Sequence, residues 1–169
     1  MDKGKYPGDI LIKCSIFQLC EYIATRSYNV GCPINNLQLQ KILYYLQGYF
    51  LVKYNKTLFR ESIVATEYGP MVPDAYYHYT IYSALNMGVF DCYDFIENNK
   101  ELLDDINLIV DKLSKLKALQ LVKKTQNEES WKEAMNNKNN RHITNKSMLS
   151  CFLNSPTPFV WIIFNNMGQ

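Results

Sequence analysis

Apolar residues recur at helical spacing early in the chain. From Ile16 they follow the i, i+3, i+4, i+7 pattern of one helix face, and Ser15 is a suitable N-cap. A second stripe runs from Leu39 to Phe50 at intervals of four and three residues, and Asn36 can cap it. The other faces of this second segment carry lysine, glutamine and tyrosine, which predicts an amphipathic helix with an aromatic flank. Two such stripes in close succession favour a mainly helical fold.

A different pattern follows over residues 58–72. Side chains alternate between two faces from Ile63 to Tyr68, and glycine and proline end the run, which predicts one or two short strands. Pro73 is well placed to open a further helix, which we expect to continue through a run of tyrosines to Gly88. The predicted fold class is therefore mainly α (α+β): a compact helical domain with a short β element around residues 58–69.

The second half of the chain is again predicted to be helical. Asn98 or Asn99 begins the longest expected helix, in which apolar residues repeat every four and three positions up to Leu116. A core helix of a bundle explains so short a repeat better than a coiled-coil seam does. A short helix over residues 128–134 and a last helix capped by Thr144 complete the pattern.

Near its C-terminus the sequence has an apolar run, Phe159–Phe164, that two prolines precede. Its residues suit a strand or a terminal helix turn equally well. We expect this run to pack either against a partner or second copy, or back onto the core of its own domain. No linker long enough to separate two domains is present. We therefore predict a single domain over residues 1–169, with residues 155–169 as a C-terminal appendage.

Composition limits the kinds of partner. With 47% hydrophobic and 20% charged residues the chain has enough apolar surface to fold, whereas a net charge of +2 is too small to indicate a nucleic acid or a membrane surface. The basic stretch Lys112–Lys124 is either a solvated helix face or a surface for an anionic partner. No apolar run approaches the ~20 residues of a membrane-spanning helix. Five cysteines without a short paired spacing, and no signal segment, predict reduced thiols in the cytoplasm.

The sequence lacks the usual motifs for catalysis and metal binding. The cysteines are far apart, and His78 and His142 have no partner at i+4, so we expect no metal site. No Gly-x-Ser-x-Gly motif is present, and the glycines are too scattered for a phosphate-binding loop. Glu61, Glu67 and Asp74 flank the Gly-Pro turn, where capping is more typical than acid–base catalysis. The sequence therefore predicts a macromolecule-binding protein with no catalytic residues and no cofactor.

Three stretches together resemble one family. They are Leu39–Tyr45, the segment from Leu58 to Pro73, and Glu128–Ala134. In that order and at that spacing they look like the Panacea domain, the SocA-like antitoxin domain of phage-associated proteins. The resemblance spans about residues 16–153. Its most specific part is the Tyr-Gly-Pro-x-Val-Pro motif in the middle stretch.

The resemblance implies a mainly helical domain that neutralises toxins, usually by direct protein contact. Six residues match family motif positions and are the implied partner-binding residues: Lys41, Tyr44, Tyr45, Glu67, Tyr68 and Trp131. Some of these must be scaffold, and Trp131 fits a core anchor better than a contact residue. Members often carry a histidine shortly before the tryptophan, whereas this chain has Gln126 there.

The partner expected from the resemblance is a protein, namely a toxin encoded nearby, and a homodimer is an open alternative. A second reading is a phage- or prophage-encoded adaptor or inhibitor that acts on a host protein, by proteolytic delivery or counter-defence. A DNA-binding regulator that uses the basic stretch is a weaker third reading, and its mark would be an affinity that falls steeply with salt.

Overall fold

The computed structural model describes residues 9–154, which form eight α-helices and a three-stranded antiparallel sheet. The helices are α1 (Ile16–Asn29), α2 (Asn36–Tyr54), α3 (Pro73–His78), α4 (Tyr93–Asn98), α5 (Leu103–Leu113), α6 (Ala118–Gln126), α7 (Glu129–Asn136) and α8 (Asn145–Asn154). The strands are β1 (Ile63–Thr66), β2 (Gly69–Met71) and β3 (His142–Ile143). The mainly helical fold with a short β element is thus confirmed.

Helix α1 begins where the sequence predicts it. The Ser15 hydroxyl accepts a hydrogen bond from the Gln18 amide at 3.3 Å, and the Gln18 side chain accepts one from the Ser15 amide at 3.1 Å. This reciprocal capping box satisfies two of the amide groups that every helix start leaves free.

Helix α2 is the centre of the fold and differs from its prediction. Asn35, not Asn36, is the cap, and its side chain accepts from the Gln38 amide at 3.0 Å. Fifteen of the 19 residues of α2 are buried, because α1, α5, α6, α8 and β2 pack around it. A helix does form here, but the prediction that it is amphipathic with an aromatic flank is wrong. Its buried polar side chains bond the backbone of surrounding loops; Gln47, for example, donates to the Phe59 carbonyl at 2.9 Å.

Strands β1 and β2 form the predicted β element, with Ala65 opposite Pro70. The third strand, β3, pairs with the other edge of β1, where Ile63 lies opposite Ile143. Sequence analysis missed β3 because a two-residue strand has no periodicity of its own.

Two predicted helices are shorter than expected. Helix α3 ends at His78 instead of reaching Gly88, and the Thr80 hydroxyl bonds the carbonyls of Tyr76 and Tyr77 at its end. Such side-chain bonds compete with continued helix.

The helix expected from Asn98 or Asn99 to Leu116 instead begins with a 3-10 turn over Lys100–Leu102 and continues as α5, which ends at Leu113. Helix α4, which precedes this span, was not predicted. Asn99 ends α4: it leaves the helical conformation, and its buried side chain bonds the Phe95 carbonyl and the Lys13 amide at 2.9 Å each. At 11 residues α5 is also shorter than α2, so the expectation that it is the longest helix is wrong for the described part of the chain.

The remaining helical predictions are confirmed. Glu128 precedes α7 as its N-cap residue, and the Thr144 hydroxyl accepts from the Ser147 amide at 3.1 Å at the start of α8. Residues 155–169, including the apolar run Phe159–Phe164, lie outside the described residues. No helix within residues 9–154 is long and apolar enough to cross a membrane.

Candidate functional site

The loop between β1 and β2 lies at the surface and contains the first residue of the Tyr-Gly-Pro-x-Val-Pro motif. Thr66 and Gly69 pair across the strands, so Glu67 and Tyr68 form a two-residue loop. The Thr66 hydroxyl donates to the Gly69 carbonyl at 2.9 Å and accepts from the Tyr68 amide at 3.2 Å. Glu67 is exposed and Tyr68 is 62% exposed. We call residues 66–69 the hairpin loop.

Gly69 is required at the end of this loop for two reasons. Its φ of 94° lies in a region that L-residues rarely adopt. In addition, a Cβ added to Gly69 would lie 2.5 Å from the Thr125 hydroxyl oxygen of α6. The glycine therefore lets the hairpin turn and approach α6 closely.

Side chains from α6 and α7 hold the hairpin loop from one side. The Trp131 indole N–H donates to the Thr66 carbonyl at 3.0 Å, and the Gln126 amide donates to the Glu67 carbonyl at 2.8 Å. Gln126, the departure from the family pattern, thus has a structural role at the loop. Both bonds fix backbone groups and leave the Glu67 and Tyr68 side chains exposed.

Two neighbouring residues of α2 hold β2 from the other side. The Lys41 ammonium donates to the Pro70 carbonyl at 2.8 Å, and the Gln40 side-chain oxygen accepts from the Val72 amide at 2.9 Å. Gln40 is itself oriented by donating to the Asn36 side chain at 2.9 Å. The hairpin is therefore fixed to the central helix by side chains and not only by apolar packing.

Lys41 is the unusual group of this site. Its side chain is 1% exposed, and among the described residues its hydrogen bond to Pro70 is the one polar contact of its ammonium group. Burial lowers the pKa of Lys41 to about 7, with no carboxylate to oppose the effect. Burial therefore brings the titration of this amine close to neutral pH.

A cavity of about 200 Å³ lies between the hairpin loop, α2 and α3. Its walls combine apolar groups with a few polar ones, from Leu37, Gln40, Lys41, Thr66, Tyr68, Met71 and Tyr76. We call it the hairpin cavity. The exposed residue Tyr68 and the buried residue Lys41 therefore line the same small space.

Tyr44 and Tyr45 lie in the interior. The Tyr44 hydroxyl shares a hydrogen bond with the Ser130 hydroxyl at 2.7 Å, and the Tyr45 hydroxyl donates to the Glu128 carboxylate at 3.3 Å. Burial raises the pKa of Glu128, while hydrogen bonds from Cys151 and Tyr45 partly offset the effect. These contacts join α2 to the start of α7.

The structure thus brings the three motif stretches together, although they are far apart in the sequence. Of the six residues with an implied role in partner binding, Lys41, Tyr44 and Tyr45 have no more than 1% of their surface exposed, and Trp131 is half-buried. Glu67 and Tyr68 are exposed and available for direct contact. The partner-binding role stays a prediction for all six residues, because the structure shows only how far each side chain is exposed.

Sequence reasoning missed Gln40 as a residue of the site. Its position directly before Lys41 in the first motif stretch was the available signal. Gln126 was noticed as a departure from the family, but only the structure shows that it bonds the hairpin loop.

The family model for the antitoxin SocA-like, Panacea domain matches residues 39–132, which is more than half of the chain. The match begins within α2 and ends just after Trp131, so it includes every residue that holds the hairpin loop. No curated protein and no solved structure matches the chain significantly. On the strength of the family match and of the motif stretches that converge at the hairpin, the chain belongs to the SocA-like antitoxin family, with a Panacea domain.

Proposed function

We propose that this protein is an antitoxin that neutralises a protein toxin by direct contact, and that the hairpin loop is part of the contact surface. Family membership supports the antitoxin function. The observation that carries the role of the loop is Tyr68, a large aromatic side chain that is 62% exposed on a hairpin whose backbone is held by α6, α7 and Lys41 of α2.

Tyrosine is among the residues that most often dominate binding energy at protein interfaces. A loop that is already ordered loses little conformational entropy when it binds. Trp131, Gln126 and Lys41 each bond a carbonyl of the hairpin, so the exposed side chains of Tyr68 and Glu67 are presented on a rigid backbone.

The same proposal makes the protein a cytoplasmic binder and not an enzyme, with the toxin encoded by a neighbouring gene. Neutralisation by contact requires a complementary surface and no reacting group. The polar side chains of the site are used to hold backbone groups of the hairpin, which is what a binding scaffold requires.

The test is co-expression with the product of each neighbouring gene that stops growth when expressed alone. We expect the wild-type protein to restore growth and to copurify with one such product. If the wild-type protein restores growth against none of these products, the proposal is refuted. Binding accompanied by protease-dependent loss of the toxin would instead support the adaptor reading.

Tyr68→Ala tests the role of the hairpin loop. Loss of a dominant interface tyrosine costs about 2 kcal/mol or more, so we expect the dissociation constant to rise about 30-fold with unchanged stability. Tyr93→Ala is the matched control, because Tyr93 is 68% exposed but lies on α4, which packs against α1. Equal loss of binding in both variants would argue against a specific role for the loop.

A further inference from the structure

The hairpin cavity has the size of one side chain. Its volume of about 200 Å³ is below the ~300–1,000 Å³ of typical small-molecule pockets. Leu37, Met71 and Tyr76 provide apolar walls, and Tyr68 extends from the cavity to the exposed surface of the loop. The geometry therefore fits a single side chain of a bound protein better than a free metabolite.

The one cationic group at this cavity is incompletely paired. A lysine ammonium has three N–H donors, and that of Lys41 uses one of them, toward the Pro70 carbonyl at 2.8 Å. None of the ionisable groups on the neighbouring hairpin, α3 and α6 bonds to it within the described residues; these groups are Glu67, Tyr68, Asp74, Tyr76, Tyr77, His78, Lys123 and Lys124. A buried amine without an anionic partner is costly to keep charged.

We propose that the hairpin cavity binds a glutamate or aspartate side chain of the toxin, whose carboxylate pairs with the ammonium of Lys41. The inference rests on the proposed antitoxin function and identifies the chemistry that the partner presents. The methylene groups of the toxin side chain contact the apolar walls. Its carboxylate accepts hydrogen bonds from the N–H groups that Lys41 leaves unused. A hydroxyl or amide would bond the amine without neutralising its charge.

Pairing couples binding to proton uptake. A carboxylate beside Lys41 favours the charged amine and raises its pKa from about 7 toward the ordinary range. The complex then holds a proton that the free protein has partly lost, so the affinity falls as the pH rises through about 7. By linkage, the dissociation constant is expected to be about 20-fold lower at pH 6 than at pH 8.5.

The experiment measures the dissociation constant of the toxin recovered by co-expression at pH 6 and pH 8.5, for the wild type, Lys41→Met and Lys56→Met. At pH 6 Lys41→Met should bind the toxin at least about 30-fold more weakly than the wild type, because the toxin carboxylate is left unpaired. The variant should also lose the part of the pH dependence of the dissociation constant that Lys41 contributes. Lys56→Met is the charge-matched control. Lys56 follows the C-terminal end of α2, about 20 Å along the helix from Lys41.

The outcomes separate the two proposals. If Lys41→Met binds the toxin as tightly as the wild type, with the same pH dependence, the carboxylate assignment is overturned. The antitoxin function is unaffected by that result. If the wild type binds no toxin, the proposed function fails. The preference of the cavity is then tested by following the titration of the Lys41 side chain by NMR in acetate and in chloride of equal ionic strength. A higher titration midpoint in acetate alone supports the carboxylate site, and equal midpoints overturn it.

Discussion

Replacing Lys41 by methionine should stabilise the free protein, although it removes a buried hydrogen bond. Lys41 is 1% exposed, and burial lowers its pKa from 10.5 to about 7. A buried base with a lowered pKa destabilises the fold at every pH below its unfolded pKa, and stability rises with pH over the interval in which the unfolded chain binds more protons than the native state. For Lys41 this cost is largest below about pH 7 and fades as the pH rises from about 7 toward 10.5. Methionine has a similar length and no charge, so the variant escapes the cost.

The size of the effect follows from the pKa difference. At 1.36 kcal/mol per pH unit, the interval between 10.5 and about 7 corresponds to a cost of about 5 kcal/mol below pH 7. Loss of the donor leaves the Pro70 carbonyl unpaired, which costs about 1–3 kcal/mol. The net stabilisation by Lys41→Met at pH 6 is therefore about 2–4 kcal/mol. By linkage it should shrink by about 2 kcal/mol at pH 8.5.

Urea denaturation at both pH values measures this difference. The comparison with the wild type cancels the titration of all other groups, including the cysteines and tyrosines. Lys56→Met is the control: Lys56 is well exposed and forms a 3.4 Å ion pair with Asp9, so its small effect should not change over this interval. The reasoning is refuted if Lys41→Met is less stable than the wild type at pH 6, or if its advantage is the same at both pH values.

Two further substitutions test the packing around the site and the core. Asp105→Asn should destabilise by about 2 kcal/mol at pH 7, because the Asp105 carboxylate accepts hydrogen bonds from Tyr49, Lys53 and Tyr54. Burial opposes ionisation of Asp105, but these bonds lower its pKa below the ordinary value. In acid denaturation the loss should therefore begin to shrink below about pH 4 and vanish only once the pH has fallen through the lowered pKa. The exposed pair of Lys13 with Glu101 is the control, and an equal loss in Glu101→Gln would contradict the role of burial. Gly69→Ala should cost more than Gly31→Ala, about 3 against about 1 kcal/mol in thermal unfolding, because both have positive φ but only Gly69 lacks room for a Cβ. Equal costs would show that the approach to α6 is not tight.

Local signals carried much of the secondary structure. Ser15 and Thr144 cap helices as predicted, because a cap is decided by a hydroxyl and an amide three residues away. The alternation from Ile63 and the following glycine and prolines also predicted the hairpin correctly. The family could likewise be identified from three short stretches, since the motif residues are contiguous within each stretch.

The candidate site was only partly predictable. The family resemblance placed Glu67, Tyr68 and Trp131 in one functional group and favoured Trp131 as a core anchor, but it did not show which side chains hold the loop. That distinction depends on which elements cover each residue, and residues 41, 66 and 131 meet only after the chain has folded.

What the sequence by itself determined is therefore most of the helices, the β1–β2 hairpin, their order, and the presence of the motif. What only the tertiary structure decided is the burial of α2 on all sides, the end of α4 at Asn99, the pairing of β3 with β1, and the isolation of the Lys41 amine. The physical reason is that caps and turns are set by neighbours within about four residues. Burial, strand pairing and the pKa of a buried group are set by residues that are distant in the chain.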